Sequence, residues 1–529
     1  MPSTQNYPGV YIEEVPISVR TIHGVATSIT AWIGRALRGP VNSPTRIKTF
    51  TEFEHIFGGL WVLSALGYSV QQFFVNGGTD AWIVRVLNDT DPMVASRSQL
   101  APLTGGGTPL ILEAVSEGSW GDHLRARVER VAGTLNSAPT VQNLFSLIIK
   151  NMQFQQVEVF PNVSPDPDHP RFVGRVLEAE SRWVRVHGEP PSQPPDANIA
   201  PTPGLDSFDD RQPPGVYVPV SIPGDDGQPI SDAHIVGSEE SKTGIYALES
   251  VDLFNLLVLP PPERHKDVAQ ATYEEAHRYC TRRRAMLIAD SPDSTVAAAI
   301  SRETTGPWTL ATRNSNAAVY FPQILARDPL QHNQWTSFRP SGAVAGVFAR
   351  TDAHRGVWKA PAGRDAVLKG VEDVSIPLND SENNSLNSVG INCLRNFPGM
   401  GPTIWGSRTH AGADPLASEA RYIPVRRLTL FLEESLYRGT QWAALEPNDE
   451  PLWAQIRLNV GSFLHSLFLQ GAFQGNSPRD AYLVQCDRET TNQNDIARGI
   501  INIVVGFAPL KPAEFVILRI QQQAAGIAE

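Results

Sequence analysis

Between Tyr422 and Phe473 the apolar residues recur at threes and fours. Leu428, Phe431, Leu432 and Leu436 share one helical face and leave Thr429, Glu433 and Glu434 outside. Glu446-Pro447-Asn448-Asp449 breaks the pattern; Asn448 or Asp449 suits a new N-cap, and Pro451 suits the first turn. Trp453, Ile456, Val460, Phe463, Leu464, Leu467 and Phe468 then form a wide apolar stripe. Runs at 481–486, 500–507 and 515–520 read as strands, so two helices have a sheet to cover.

Upstream, the period changes several times. Residues 7–12 give a turn and a short β run, too short to hold a place in a core alone. Residues 27–33 read as a strand. Thr51 is placed to cap a helix through Phe57, 66–75 is helical, and 81–87 is a strand. After Asn88 the composition shifts. Strand-like pieces follow at 110–115, 124–131, 145–149, 156–160 and 183–186, with a helix at 171–179. Residues 189–229 are dense in Pro, Gly and Asp and predict a long, exposed, partly mobile loop. Order returns at 244–248. Continuous apolar runs at 253–259, 285–289 and 317–321 predict strands buried on both faces, with helices at 273–283, 294–302 and 341–348 between or after them. Strands at 391–397 and 403–406 flank a Pro- and Gly-rich turn.

The fold class expected is α/β and α+β, multidomain. An arm spans 1–22. A mostly parallel middle domain is built from 23–95 plus 236–412, and a β-rich outer domain is inserted at 96–235. An α/β module occupies 413–512, and a terminal strand and arm occupy 513–529. At about 150 residues per domain, 529 residues allow three or four domains.

Composition narrows the function. Apolar residues make up 41% and charged residues 19%, enough for large cores. The net charge of −11 argues against a nucleic-acid partner held through phosphates. Three cysteines far apart make no disulfide framework and read as reduced cytosolic thiols. No signal-peptide pattern opens the chain, and no apolar run approaches the ~20 residues of a membrane helix, so direct membrane insertion is not expected.

The search for chemistry returns little. G-x-S-x-G, G-x-x-x-x-G-K-[ST], C-x-x-C and H-E-x-x-H are all absent. Scattered histidines such as His265, His277 and His354 read as surface residues. Arg282-Arg283-Arg284 reads as a solvated helix end or a subunit contact rather than a phosphate site. Asp209-Asp210 and Asp225-Asp226 lack the spaced ligands of a calcium loop. No catalytic residue, cofactor or metal is expected.

Several segments resemble contractile tail sheath proteins of phage tails and related injection systems. They are Tyr7-Pro8-Gly9-Val10-Tyr11-Ile12-Glu13-Glu14, Asn76-Gly77-Gly78-Thr79-Asp80-Ala81-Trp82 and Val251-Asp252-Leu253-Phe254-Asn255-Leu256-Leu257. The run from Pro340 to Asp352, continued by Gly356 to Gly363, is the most specific. Glu446-Pro447-Asn448-Asp449, Asn494-Asp495-Ile496-Ala497 and Pro512-Ala513-Glu514-Phe515-Val516 complete the likeness, which covers about 1–95 and 236–529.

The resemblance implies a subtilisin-like middle domain without its catalytic segments. It implies a structural subunit that stacks as hexameric rings around an inner tube and contracts from a metastable extended state. Partners implied are further copies of itself, the tube protein, baseplate and terminal cap proteins, and sheath paralogues. Synthesis in a bacterial cytoplasm, with assembly into a phage tail or a released particle, is implied too. Strand exchange between subunits falls to Val10, Tyr11, Ile12, Phe515, Val516, Ile517 and Leu518, and tube contact to Arg479, Arg488 and Arg498. The competing readings are an α/β hydrolase, which requires a nucleophile beside a base, and a tube or baseplate protein.

Overall fold

The computed structural model describes residues 21–88, 95–130, 143–292, 295–304, 313–413 and 420–514. The described chain divides into two compact units. The larger comprises 27–354 and 360–423; the smaller comprises 21–26, 355–359 and 424–514.

The larger unit is organised on an eight-stranded sheet. Its order is Gly401–Ile404, Ile391–Phe397, Ala317–Phe321, Met286–Asp290, Leu256–Val258, Thr30–Gly34, Ala81–Arg85 and Thr45–Ile47. The six inner strands run parallel, and the two outermost pair antiparallel to their neighbours. Thr30–Gly34, Met286–Asp290 and Ala317–Phe321 are buried at every position, as their continuous apolar runs require. On one face lie the helix Gln270–Arg282 and the 3-10 turn Gly244–Ser250, packed through Tyr273, Ala276, Tyr279, Ile245 and Leu248. The helix Ser341–Arg355 is buried from Ser341 to Ala349. It closes tightly on the helix Leu66–Val75: a Cβ at Gly342 would lie 2.3 Å from Ser69 O, and one at Gly346 would lie 2.4 Å from Phe73 O. Only glycine allows the backbones so near.

Residues 95–230 of the same unit build a second core. One sheet orders Val220–Ile222, Gln99–Leu100, Ile111–Ala114 and Val184–His187, and a three-stranded antiparallel sheet joins Leu124–Arg130, Phe145–Asn151 and Gln156–Val163. Leu112, Trp120, Val128, Leu147, Leu177 and Trp183 meet between them and the helix Val173–Glu180.

The predicted mobile loop at 189–229 is corrected. Much of it is exposed, yet Phe208 and Val216 are buried and Val220–Ile222 is a strand. Buried Arg127 donates to Ile199 O and Val216 O, Val128 N donates to Asn198 Oδ1, and Lys150 pairs with Asp206 at 2.7 Å. Side chains of neighbouring strands thus satisfy a Pro-rich backbone that has few ladder bonds of its own.

In the smaller unit the helix Ile423–Thr440, whose first residue is counted with the larger one, meets Glu450–Leu469. Asp449 caps the second helix by accepting from Leu452 N at 3.3 Å, and Pro451 sits in its first turn. Leu428, Leu432, Trp453, Ile456, Val460, Phe463 and Leu464 join in one core with Ile22 and Val357. Covering it is the hairpin Tyr482–Gln485 and Val504–Phe507.

Other expectations need correction. Thr49, not Thr51, caps Phe50–Phe57. The strand expected over 500–507 begins only at Val504, because Asn502 N donates to Thr491 Oγ1 and Asn448 Nδ2 donates to Ile500 O. The hairpin Ile324–Asp328 and Gln334–Phe338 was not anticipated; His332 and Asn333 turn it with φ of 53° and 56°. The helix Asp380–Ser388 was also missed, although Asn379 and Glu382 form a capping box.

Candidate assembly interface

The hairpin of the smaller unit is a two-stranded sheet, and among the described residues neither outer edge pairs with a further strand. Its register sets Tyr482 against Phe507, Leu483 against Gly506, Val484 against Val505 and Gln485 against Val504. Alternation sends Tyr482, Val484, Val505 and Phe507 to the core. The other face carries Leu483 and Val504, 50% and 46% exposed. An isolated hairpin is marginal in water. Here Phe473 anchors it, 6.2 Å from the Tyr482 ring and 5.9 Å from that of Phe507.

The described chain both enters and leaves through this unit. Ile22 is buried in its core, and Val25 N donates to Ser435 Oγ at 3.1 Å. At the other end Ala508 N donates to Ala481 O, and Gln474 N donates to Ala508 O. Strand edges unpaired among the described residues, in the unit where the described chain begins and ends, suit strand addition. The residues expected to exchange, Val10, Tyr11, Ile12, Phe515, Val516, Ile517 and Leu518, lie outside the described residues.

Arg479 lies in the short helix Pro478–Ala481 that leads into the first hairpin strand. Arg488 follows that strand, and Arg498 follows the helix Gln493–Ala497 in the same connection. All three are exposed. The fold therefore brings Arg488 and Arg498 into one connection and sets Arg479 at the opposite end of the strand.

The Arg282-Arg283-Arg284 cluster is not simply solvated. Arg282 pairs with Glu239 and Glu249 at 2.7 and 2.8 Å, and Arg283 donates to Leu248 O and Val251 O. Both bind the helix Gln270–Arg282 to the preceding turn. Nor is His277 an ordinary surface histidine. It lines a cavity of about 30 Å³ with His410, its Nε2 is buried, and burial lowers its pKa. His410 Nε2 lies 2.9 Å from Glu303, which meets Arg313 at 3.0 Å.

A hydrolase needs an activated nucleophile. Ser341 Oγ instead donates to Asp290 Oδ2 at 2.6 Å, and Ser341 N donates to Oδ1 at 2.9 Å. Asp290 thereby satisfies the first donors of the helix Ser341–Arg355. Cys393 is buried, which pushes its thiol up to about 12, away from thiolate chemistry. Among the described residues no group of three or more His, Cys, Asp or Glu is placed to hold a metal ion, and no helix is long and apolar enough to cross a membrane.

Burial pushes the Asp290 carboxyl up to about 7, against the hydrogen bonds from Ser341. The folded state then binds a proton that the unfolded chain has lost, so this group's contribution falls as pH rises from about 4 to about 7. Asp290→Asn keeps an acceptor for Ser341 N and removes the titration. Thermal unfolding should show the natural chain losing ground to this variant between pH 5 and pH 8, by an amount on the order of 3 kcal/mol. A pH-independent gap would rule out the assigned titration.

The model for the phage tail sheath protein central domain matches residues 236–410. A putative prophage major tail sheath protein of Pseudomonas aeruginosa is 25% identical over 295 residues, covering 53% of this chain and 69% of the relative. A tail sheath protein of Vibrio phage KVP40 is 27% identical over 188 residues, 35% of this chain; the match spans only about a quarter (26%) of that relative. Among solved structures, the contracted helical sheath of the anti-feeding prophage aligns with a TM-score of 0.58 at 21% identity, covering 98% of this chain and 100% of that one. A sheath tail protein from Listeria innocua aligns at 0.60 and 12% identity, covering 93% and 97%. These likenesses extend the fold well beyond the matched central domain. Residues 236–410 thus match the central domain of phage tail sheath proteins, and the chain is similar in sequence to tail sheath proteins of phages and a prophage.

Proposed function

We propose that this chain is the sheath subunit of a contractile tail or injection particle. It polymerises as stacked hexameric rings around an inner tube and contracts from a metastable extended state to drive the tube through a target envelope. The match of residues 236–410 to the sheath central domain carries this reading. Contraction of this kind draws on the difference in contact free energy between two subunit packings, so it requires no hydrolytic site. The parallel sheet of the larger unit serves as a scaffold, subtilisin-like in arrangement and without catalytic duty. The chain works in an arm (1–22), a middle domain (23–95 with 236–412), an inserted outer domain (96–235), a tube-facing module (413–512) and a terminal arm (513–529). Its partners are copies of itself, the tube, baseplate and cap proteins, and sheath paralogues, in particles assembled in the bacterial cytoplasm.

The inserted region is less separable than its composition implies. Buried Arg85 donates to Ala36 O and Gly39 O and also to Glu117 O, and Arg35 donates to Asp226 O and Gly227 O. Replacing residues 104–229 by a linker would strip acceptors from two buried guanidinium groups.

Arg479, Arg488 and Arg498 are assigned to contacts with an acidic tube. Exposed ion pairs are worth only about 0–1 kcal/mol each, which suits a surface that must let go. Negative-stain microscopy of the chain co-expressed with its tube protein tests function and residues together. Long striated, tube-filled cylinders are expected, and reversing all three charges should leave empty or absent cylinders. Absence of cylinders from the natural chain would reject the sheath function; normal filled cylinders from the triple variant would reject only the three residues.

A further inference from the structure

A cavity of about 690 Å³ opens within the larger unit, lined by residues that include Arg38, His55, Ile56, Val115, Ser116 and Arg182. Small-molecule pockets run from roughly 300 to 1,000 Å³. Its chemistry is one-sided: two arginines and a histidine stand among apolar residues, and no carboxylate lines it.

Arg38 is the unusual member. It is 5% exposed, and burial pushes its guanidinium down to about 10. Nη2 donates to Glu54 O and His55 O at the end of the helix Phe50–Phe57. Nε and Nη1 are buried and have no partner among the described residues. Glu158 acts on Arg38 through its charge, but its oxygens accept from Ser181 Oγ and Arg182 N. Arg35, Arg264 and Arg313 also keep a buried Nε without a partner among the described residues, but Arg264 has Asp328, Arg313 has Glu303, and Arg38 alone of the four leaves an Nη open as well. The Arg38 guanidinium carbon lies over the rings of Trp120 and Phe154, 5.4 and 5.2 Å from their centroids. Cation–π contact favours the charge but gives Nε and Nη1 no hydrogen-bond acceptor. A buried cation without a hydrogen-bonded counter-charge is costly, and the cavity beside it is where one would sit.

We propose that this cavity binds a small organic oxyanion, a carboxylate or a phosphate ester. Its oxygens take the free Nε and Nη1 donors of Arg38 while its body lies against Ile56 and Val115. Arg182, exposed at the rim, draws the anion in. The cover in this proposal is Phe154, whose ring centroid lies 5.2 Å from the guanidinium carbon and which is 37% exposed in the turn between Phe145–Asn151 and Gln156–Val163; it swings aside as the ligand enters.

Titration calorimetry of the full chain with benzoate and with phenyl phosphate tests this, with neutral benzamide as control. Saturable binding of at least one anion and none of benzamide is expected; the preferred anion identifies the head group. Arg38→Met should abolish binding. Because Arg38 also holds two helix-end carbonyls, its variant is checked by circular dichroism, and two variants that leave Arg38 in place stand beside it. Arg182→Gln should weaken binding at least fivefold, and Phe154→Ala should speed association. Absence of binding by both anions at millimolar concentration overturns the proposal. So does binding that neither arginine substitution alters, or equal binding of benzamide.

Discussion

Removing residues 1–15 is expected to leave a folded, soluble subunit that forms no sheath. Ile22, which is 5% exposed, and Val25, whose N meets Ser435 Oγ, lie beyond the cut and keep their places. What it removes is a candidate third strand for a hairpin whose two edges are unpaired among the described residues. Each backbone hydrogen bond contributes only about 0.5–1.5 kcal/mol net. Several at every junction, repeated along a cylinder, would connect a lattice while larger surfaces change partners, as strand exchange through this arm proposes. Leu483 and Val504 on the outer face give an incoming strand apolar surface to cover. Ile12→Pro should act nearly as strongly, by removing a ladder donor. Sedimentation, circular dichroism and microscopy decide the matter together. Cylinders of normal length from the truncated chain would exclude strand exchange through this arm, and loss of folded signal would show that the arm belongs to the core.

Asp328→Ala should be among the most destabilising single changes in the larger unit, at about 3–5 kcal/mol. Asp328 is fully buried and paired with Arg264, whose side chain is 4% exposed. Tyr68 Oη donates to Asp328 Oδ1 at 3.0 Å and Leu330 N donates to the same oxygen at 2.9 Å, while the guanidinium stacks on Tyr68 and Phe338. Burial alone would raise the Asp328 pKa; the hydrogen bonds from Arg264, Leu330 and Tyr68 outweigh it and hold the group below its usual value. Truncation leaves a buried guanidinium without its counter-charge. Arg264→Met combined with Asp328→Leu should recover much of the loss, because an apolar pair carries no desolvation penalty. Denaturant midpoints of Asp328→Ala, of the singles Arg264→Met and Asp328→Leu, and of the double test this. A loss under about 1 kcal/mol for Asp328→Ala, or full additivity in the double, would show that the pair is not coupled.

The sequence alone carried the parts in which local chemistry and final environment agree. Apolar runs at 253–259, 285–289 and 317–321 announced parallel strands buried on both faces, and such strands form there. Asp449, Pro451 and the stripe from Trp453 to Leu467 specified a capped helix that the structure reproduces. The short motifs from Asn76 and from Pro340, which carried the resemblance to sheath proteins, meet in a tight junction. Gly346 lies against Phe73 O, Asn76 Nδ2 donates to Lys369 O, and Arg350 Nη1 donates to Asn76 O.

Tertiary structure decided what depends on partners distant along the chain. The Pro-rich stretch at 189–229 has too few apolar runs to signal order, yet it is held by Arg127, Lys150 and Val128 from strands some 50 to 90 residues away. Residues 500–503 look as β-prone as 504–507, but Asn502 and Asn448 claim their backbone first. No pattern in the sequence tells Arg38, Arg264 and Arg283 apart in role. Burial, and the presence or absence of a carboxylate or carbonyl at the guanidinium edge, makes the first a candidate binding group, the second half of a buried pair and the third a clasp between helix and turn. A sequence fixes which residues can be buried or charged. Which charge ends up beside which acceptor is a property of the closed fold, because that pairing is set by packing geometry across long stretches of chain.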